Sequence, residues 1–137
     1  MAKAVTRAVL ALFYAAAGYL HIASPAPFLL ITPPWVPEPA AVVFWTGIAE
    51  IAGAAGLLQP FSTRLRRAAG VGLALYALCV WPANMHHFAI DLASANSGAT
   101  GGLGLAYHVP RMIAQPLIIW LALWAGEVTR WPLARKG

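Results

Sequence analysis

Four long stretches of the chain carry almost no formal charge, and each is long enough to supply a helix that crosses a membrane. A spanning helix needs about 20 mostly apolar residues. Strands are excluded because the stretches are long and show no strict alternation of polar and apolar positions. We therefore predict an all-α fold in which residues 1–137 form one integral membrane four-helix bundle. The predicted spans cover residues 4–22, 40–58, 65–87 and 107–125.

The amino-acid composition supports a membrane protein and excludes several other classes. Hydrophobic residues make up 61% of the chain and charged residues only 9%, against roughly 25% charged residues in an ordinary soluble domain. So few charges cannot cover the surface of a soluble enzyme or a nucleic-acid-binding domain. Cys79 is the single cysteine, so no disulfide can form within the chain, and a Cys-x-x-Cys motif for thiol exchange is absent.

The basic residues are distributed asymmetrically along the chain. Two precede the first charge-free stretch, which begins at Ala8, three lie between the second stretch and the third, which begins at Ala68, and three follow the fourth, which makes eight of the nine Lys and Arg residues. Arg111 is the exception. The positive-inside rule then places both termini in the cytoplasm of a bacterial-type inner membrane. The net charge of +5 is thereby explained by topology and contact with lipid headgroups, and no nucleic-acid partner is expected.

The two loops on the opposite side differ in composition. The first loop holds six of the eleven prolines around the apolar segment 28–31, so we predict a stiff apolar loop that lies on or dips into the outer membrane face. The third loop, residues 91–106, is rich in Gly, Ser, Ala and Asn, and we predict that it is the most mobile part of the chain.

Each predicted span carries polar residues at helical spacing on one face, mostly in its outer half. In the fourth span the residues at positions i, i+3 and i+7 are His108, Arg111 and Gln115, which share one face of a helix. In lipid such faces must turn toward each other or toward a cavity. We predict that they form a site for a small lipophilic ligand. Its predicted residues are Tyr14, His21, Glu50, Asn84, His87, His108, Arg111 and Gln115.

Glu50 and Arg111 are the two charged residues of this predicted site. Glu50 lies ten residues inside its span, which corresponds to about 15 Å and a position near the bilayer centre. Because Arg111 cannot be neutralised, we expect it to pair with Glu50 or with a ligand oxygen. A purely structural ion pair is the alternative. Pro82 and Pro116 should free the carbonyl groups four residues earlier, at Leu78 and Met112, as acceptors.

Three kinds of chemistry fit these residues. Buried polar groups beneath an apolar loop can hold the head of a quinone or a similar lipophilic molecule, and a histidine beside a carboxylate can pass protons. His21, His87 and His108, with Asp91 or Glu50 added, could instead bind a metal ion. A haem held by His21 with His87 or His108 is the third possibility.

Several motifs resemble those of DoxX-like membrane proteins over nearly the whole chain. They are the segments 14–21, 33–37, 47–53 and 81–87, and Arg111 with residues 115–117. The resemblance implies a four-helix integral membrane fold. Several proteins of that family are accessory to redox systems, and one is a subunit of a thiosulfate:quinone oxidoreductase. Others include a methylamine-dehydrogenase maturation factor and an animal receptor-assembly chaperone, so the resemblance implies the fold more directly than an activity.

These observations lead to one functional hypothesis and two alternatives. The hypothesis is an inner-membrane protein that binds a lipophilic ligand, with quinone as one candidate, and acts as an accessory component in a redox or stress pathway. The first alternative is a non-catalytic assembly chaperone or structural subunit. The second is a metal- or haem-dependent membrane enzyme. The expected partners are the lipid bilayer, the ligand, and either a larger membrane redox complex or a second copy of the chain.

The predicted topology can be tested by cysteine labelling. In a variant whose native Cys79 is replaced by Ala, a cysteine introduced at Gly98 should react with a membrane-impermeant reagent added to intact spheroplasts, because the third loop faces outward. A cysteine at Thr63 should react only after the membrane is opened. Labelling of position 98 from the cytoplasmic side alone would contradict this topology.

Overall fold

The computed structural model describes residues 1–96 and 102–131, and all the regular secondary structure in these ranges is helical. The all-α fold class is therefore confirmed. Arg135 and Lys136, two of the basic residues used to predict the topology, lie outside the described residues. The helices are α1 (Ala2–Ala23), α2 (Ala26–Ile31), α3 (Pro39–Leu58), α4 (Thr63–Asn96) and α5 (Leu105–Ala125).

The helix bounds follow the predicted spans except at two places. A short helix, α2, forms in the proline-rich first loop, and a proline lies in its first turn. Proline is tolerated there because the N–H groups of the first turn have no hydrogen-bond partner within the helix. Helix α4 continues to Asn96, so the prediction of a loop from Asp91 onward is wrong for residues 91–96. Alanine and leucine favour the helix there. Residues 97–101 of the predicted loop lie outside the described residues.

Three of the helices, α1, α3 and α4, are long and apolar enough to cross a membrane. Within the described ranges, α5 is the one long helix that does not reach the same degree of apolarity, because it carries His108, Arg111 and Gln115 within 21 residues. Large apolar side chains remain exposed on the outer surfaces of the helices, among them Val9, Leu12, Leu75, Ile113 and Leu117. Such a surface suits lipid better than water.

The four long helices pack side by side around one core. Helix α1 contacts α3 and α5, while α4 contacts the same two helices, and α2 lies against α3 and α4. The largest fully buried core side chains are Tyr14, Leu57 and Leu73. Small residues such as Ala122 and Ala125 fill the remaining core positions where α5 approaches.

The contact between α1 and α3 depends on two glycines that face each other. A β-carbon built on Gly18 would lie 2.5 Å from the carbonyl oxygen of Gly47, and one built on Gly47 would lie 2.8 Å from the carbonyl oxygen of Gly18. No larger residue fits at either position without separating the two helices. This close approach brings the next turn of α1 beside the middle of α3.

A cluster of ionic contacts closes the end of the bundle that contains the N-terminus of α1. Glu127, just after α5, accepts bonds from Arg7 at 2.7 Å and from Arg66 at 3.3 Å. Arg7 also donates to the carbonyl of Ala125, and Arg66 to the carbonyl of Gln59. The start of α1, the end of α3, the start of α4 and the end of α5 therefore meet at one end, where the basic residues are concentrated.

The glycine contact yields a prediction for stability. Gly18→Ala should lower the free energy of unfolding by about 1–3 kcal/mol, because the added methyl group meets the α3 backbone. Gly72→Ala is the matched control, since a β-carbon added at Gly72 would meet nothing within 4 Å, and alanine there should be neutral or stabilising by up to about 1 kcal/mol. Thermal melts in detergent measure both changes. Equal effects of the two substitutions would disprove the close approach.

The ionic cluster yields a prediction for the pH dependence of stability. Burial opposes the ionisation of Glu127, but the hydrogen bond from Arg7 and the charges of Arg66, Arg7 and Lys3 outweigh it and hold the pKa of Glu127 below its ordinary value. The ionised carboxylate therefore stabilises the fold at neutral pH, and this contribution is lost as the pH falls through the lowered pKa.

Glu127→Gln should consequently lower the melting temperature at pH 7, and the difference from the natural protein should shrink steadily as the pH falls below about 4. Melting curves recorded in detergent across this pH range test the prediction. A difference that stays constant or grows in acid would show that the carboxylate is not stabilised in the folded state.

Candidate functional site

A cavity of about 350 Å³ lies between the long helices, at the end of the bundle away from the ionic cluster. Its wall is mostly apolar. Helix α2 and the segment after it contribute Phe28, Ile31 and Trp35 to the wall, so the proline-rich first loop covers part of the cavity. The buried polar side chains of four helices interrupt this apolar wall at a few points.

Glu50 and His21 form one of these buried polar points. Glu50 Oε2 lies 2.7 Å from His21 Nδ1, and the two residues are 3% and 8% exposed. The two atoms meet without the alignment of a regular hydrogen bond, and neither has another hydrogen-bond partner in the described part of the chain. A buried carboxylate is costly without compensation, so each group depends on the other. Phe28 packs edge-on against the His21 ring.

Two tyrosines stand beside the carboxylate. Tyr14 donates to the carbonyl of Leu73 at 3.5 Å, and its ring meets that of Tyr76 edge-on at 6.1 Å. Both tyrosines lie within electrostatic reach of Glu50. Tyr76 is not among the predicted site residues. Its spacing offers a signal, because Tyr76 precedes His87 by eleven residues, or three helical turns, and so lies on the same face of α4.

Asn84 and Gln115 join α4 to α5 at the cavity wall. Asn84 Nδ2 donates to Gln115 Oε1 at 3.1 Å, and Gln115 Nε2 donates to the carbonyl of Ala77. The predicted free acceptor was the carbonyl of Leu78, one residue further along. Gln115 thus bonds α4 one residue before the carbonyl that Pro82 leaves without a helical donor.

Arg111 also lines the cavity, but its partners differ from the prediction. Its Nη1 lies 2.9 Å from His87 Nδ1, and its guanidinium group lies over the Tyr107 ring at 5.5 Å. Among the described residues, no ion pair joins Arg111 to Glu50, so Glu50 is not its partner, and the other expected partner, a ligand oxygen, stays a prediction. The reason is geometric: α1 supplies a partner to Glu50 first, while Arg111 reaches from α5 toward α4.

A second polar cluster lies next to the cavity, around Asp91. His108 Nε2 is 2.9 Å from Asp91 Oδ2, and His87 Nε2 is 3.5 Å from the same oxygen. The backbone N–H of Leu103 donates to this oxygen as well, at 2.8 Å. His108 is completely buried. The cluster connects the end of α4 with the start of α5.

The eight predicted site residues therefore separate into two groups. Six line the cavity: Tyr14, His21, Glu50, Asn84, Arg111 and Gln115. His87 and His108 belong instead to the Asp91 cluster, and Arg111 is the contact between the two groups. The prediction did not include several other wall residues, namely Phe28, Thr32, Trp35, Thr46, Tyr76 and Cys79.

Comparison with known proteins gives a family assignment. Residues 10–129 match the model of a family described as Domain of unknown function (DUF8561). The chain belongs to this family. Every residue of the cavity wall and of the Asp91 cluster lies inside the matched range, so both are placed within the DUF8561 domain. No curated protein and no solved structure matches the chain. The resemblance to DoxX-like proteins stays a prediction.

Proposed function

We propose that this DUF8561 protein binds a small lipophilic molecule with a polar head in the cavity between its helices. The observation that carries the proposal is the cavity wall, which is apolar except for buried hydrogen-bonding groups on four helices. Sites for small ligands have this composition, with a few placed polar groups that fix orientation, and typically enclose about 300–1,000 Å³. The cavity of about 350 Å³ suits a single aromatic ring with a short part of a tail.

In this proposal all four long helices cross a bacterial-type inner membrane, and both termini are cytoplasmic. The ionic end of the bundle, with Arg7 and Arg66, then faces the cytoplasm, as the positive-inside rule requires. The cavity opens in the outer half of the bilayer. Helix α5 is less apolar than the others, but His108 and Gln115 are buried against its neighbours, so lipid does not have to solvate them.

A quinone ring fits the polar groups that the wall presents. Its two carbonyl oxygens are hydrogen-bond acceptors, and Arg111 and the His21 ring offer donors on different helices. Glu50 beside His21 can supply or take a proton at this contact. The protein would then act as an accessory component that holds quinone for a redox or stress pathway, in line with the resemblance to DoxX-like proteins.

The alternative of an assembly chaperone or structural subunit draws on the apolar outer surfaces of the helices, which suit a partner protein as well as lipid. The two hypotheses differ in what copurifies with the protein. Mass spectrometry of gently purified protein should find a lipophilic molecule in the first case. A stoichiometric partner without a bound ligand would favour the second.

Ligand binding should depend on the buried carboxylate. We expect Glu50→Gln to weaken binding of a short-tailed quinone about 10-fold to 100-fold. The quinone oxygen accepts from the His21 ring, which Glu50 holds in place, and a hydrogen bond that involves a charged group contributes about 1.5–3 kcal/mol. Trp35 lies in the wall, so quenching of tryptophan fluorescence during quinone titration in detergent reports occupancy.

Glu38→Gln is the matched control, since Glu38 is exposed in the turn before α3 and is not part of the wall. It should bind quinone as the natural protein does. Melting temperatures without ligand separate a loss of folding from a loss of binding. Unchanged quinone affinity in a folded Glu50→Gln variant would refute the assignment of the head-group site.

A further inference from the structure

Three potential metal ligands that do not line the cavity converge at the junction of α4 and α5. His87 and Asp91 are one helical turn apart on α4, and His108 comes from the first turn of α5. One potential ligating atom of each residue lies within 4.8 Å of those of the other two. Two histidine rings and one carboxylate, from two helices, are thus directed at one point.

We propose that His87, Asp91 and His108 bind a divalent transition-metal ion. Two imidazole nitrogens and one carboxylate oxygen form a donor set that suits Zn²⁺, Fe²⁺ or Co²⁺. Metal–ligand bonds of about 2.0–2.2 Å in a tetrahedral site hold neighbouring ligand atoms roughly 3.3 Å apart. The observed separations from Asp91 Oδ2, 2.9 Å and 3.5 Å, bracket this value, so small rotations of the side chains suffice.

The three ligands are held in place by contacts that do not involve a metal. The N–H of Leu103 fixes the Asp91 carboxylate. The His108 ring stacks on Phe88 at 5.0 Å and meets Tyr107 edge-on at the same distance. Such supporting contacts reduce the cost of ordering the ligands when an ion binds.

The position of the cluster leaves it accessible to an ion from water. The His108 side chain is completely buried, but those of His87 and Asp91 are 18% and 13% exposed, which leaves an open side for water or another ligand. Asp91 lies 28 residues beyond Thr63, the first residue of α4, or about 42 Å along the helix. Since the hydrocarbon core is only about 30 Å thick, the cluster lies beyond it on the outer side in the topology proposed above.

Arg111 opposes the metal and thereby connects this site to the cavity. Because a guanidinium group only donates, its 2.9 Å contact makes His87 Nδ1 an acceptor and places the ring proton on Nε2. A metal needs the lone pair of Nε2, so binding must release that proton from Nε2 and break the contact with Arg111. Replacing Arg111 by methionine should therefore strengthen metal binding, whereas a merely structural cluster would gain nothing.

The test is a Co²⁺ titration of the purified protein. The protein carries an affinity tag that contains no histidine, and a chelator removes any bound metal beforehand. We expect one Co²⁺ per chain, with visible absorption bands of a low-coordinate ion. His87→Gln and Asp91→Asn should each weaken binding about 100-fold or more, since even outer-shell substitutions cost 10-fold to 100-fold. His86→Gln is the matched control, because His86 precedes His87 and is not one of the three ligands. Its affinity should be unchanged.

Three further measurements test the proposal, and two of them use the natural protein. Zn²⁺ should raise the melting temperature of the natural protein, and the rise should increase with the concentration of free Zn²⁺. Arg111→Met should tighten Co²⁺ binding at least about threefold. X-ray absorption of the zinc-loaded natural protein should show two imidazole ligands and no sulfur. Absence of stoichiometric binding, equal losses in His86→Gln and His87→Gln, or weaker binding in Arg111→Met would each overturn the proposal.

Discussion

A carboxylate buried between helices is the constraint on which the cavity-containing half of this structure depends. Glu50 has almost no exposure, and a charge in that position is costly unless a partner lies within reach. His21 is that partner, and it reaches Glu50 because Gly18 and Gly47 allow α1 and α3 to approach so closely. The helix spacing, the buried pair and the shape of the cavity beside it are therefore one linked arrangement.

The two ends of the bundle solve different electrostatic problems. At the ionic end, Glu127 neutralises Arg7 and Arg66 and ties three helix ends together. At the opposite end, three histidines share the interior with two acids, one arginine and two amides. Arg111 is the unneutralised charge between the cavity and the Asp91 cluster, and it contacts His87 rather than an acid. A ligand oxygen in the cavity or a metal ion at the Asp91 cluster would change the contact between Arg111 and His87. The two proposed sites are therefore physically linked.

The sequence indicated which residues would be buried but not how they would pair. Each polar stripe was recognisable from its helical spacing, and six of the eight residues chosen on that basis line the cavity. Pairing depends on the rotation and separation of helices, to which spacing within one helix is insensitive. Glu50 and Arg111 are the clearest example. Their opposite charges suggested a direct bond, but Glu50 contacts His21 of α1 and Arg111 contacts His87 of α4.

The sequence by itself determined the helical class, the approximate bounds of the long helices and the concentration of basic residues in three segments, because apolar length and charge are local properties of the chain. Only the tertiary structure decided that α2 covers the cavity, that Tyr76 stands beside Glu50, and that Asp91 collects two histidines. These features arise from distances between helices. A few small residues at the contacts, such as Gly18 and Gly47, set those distances.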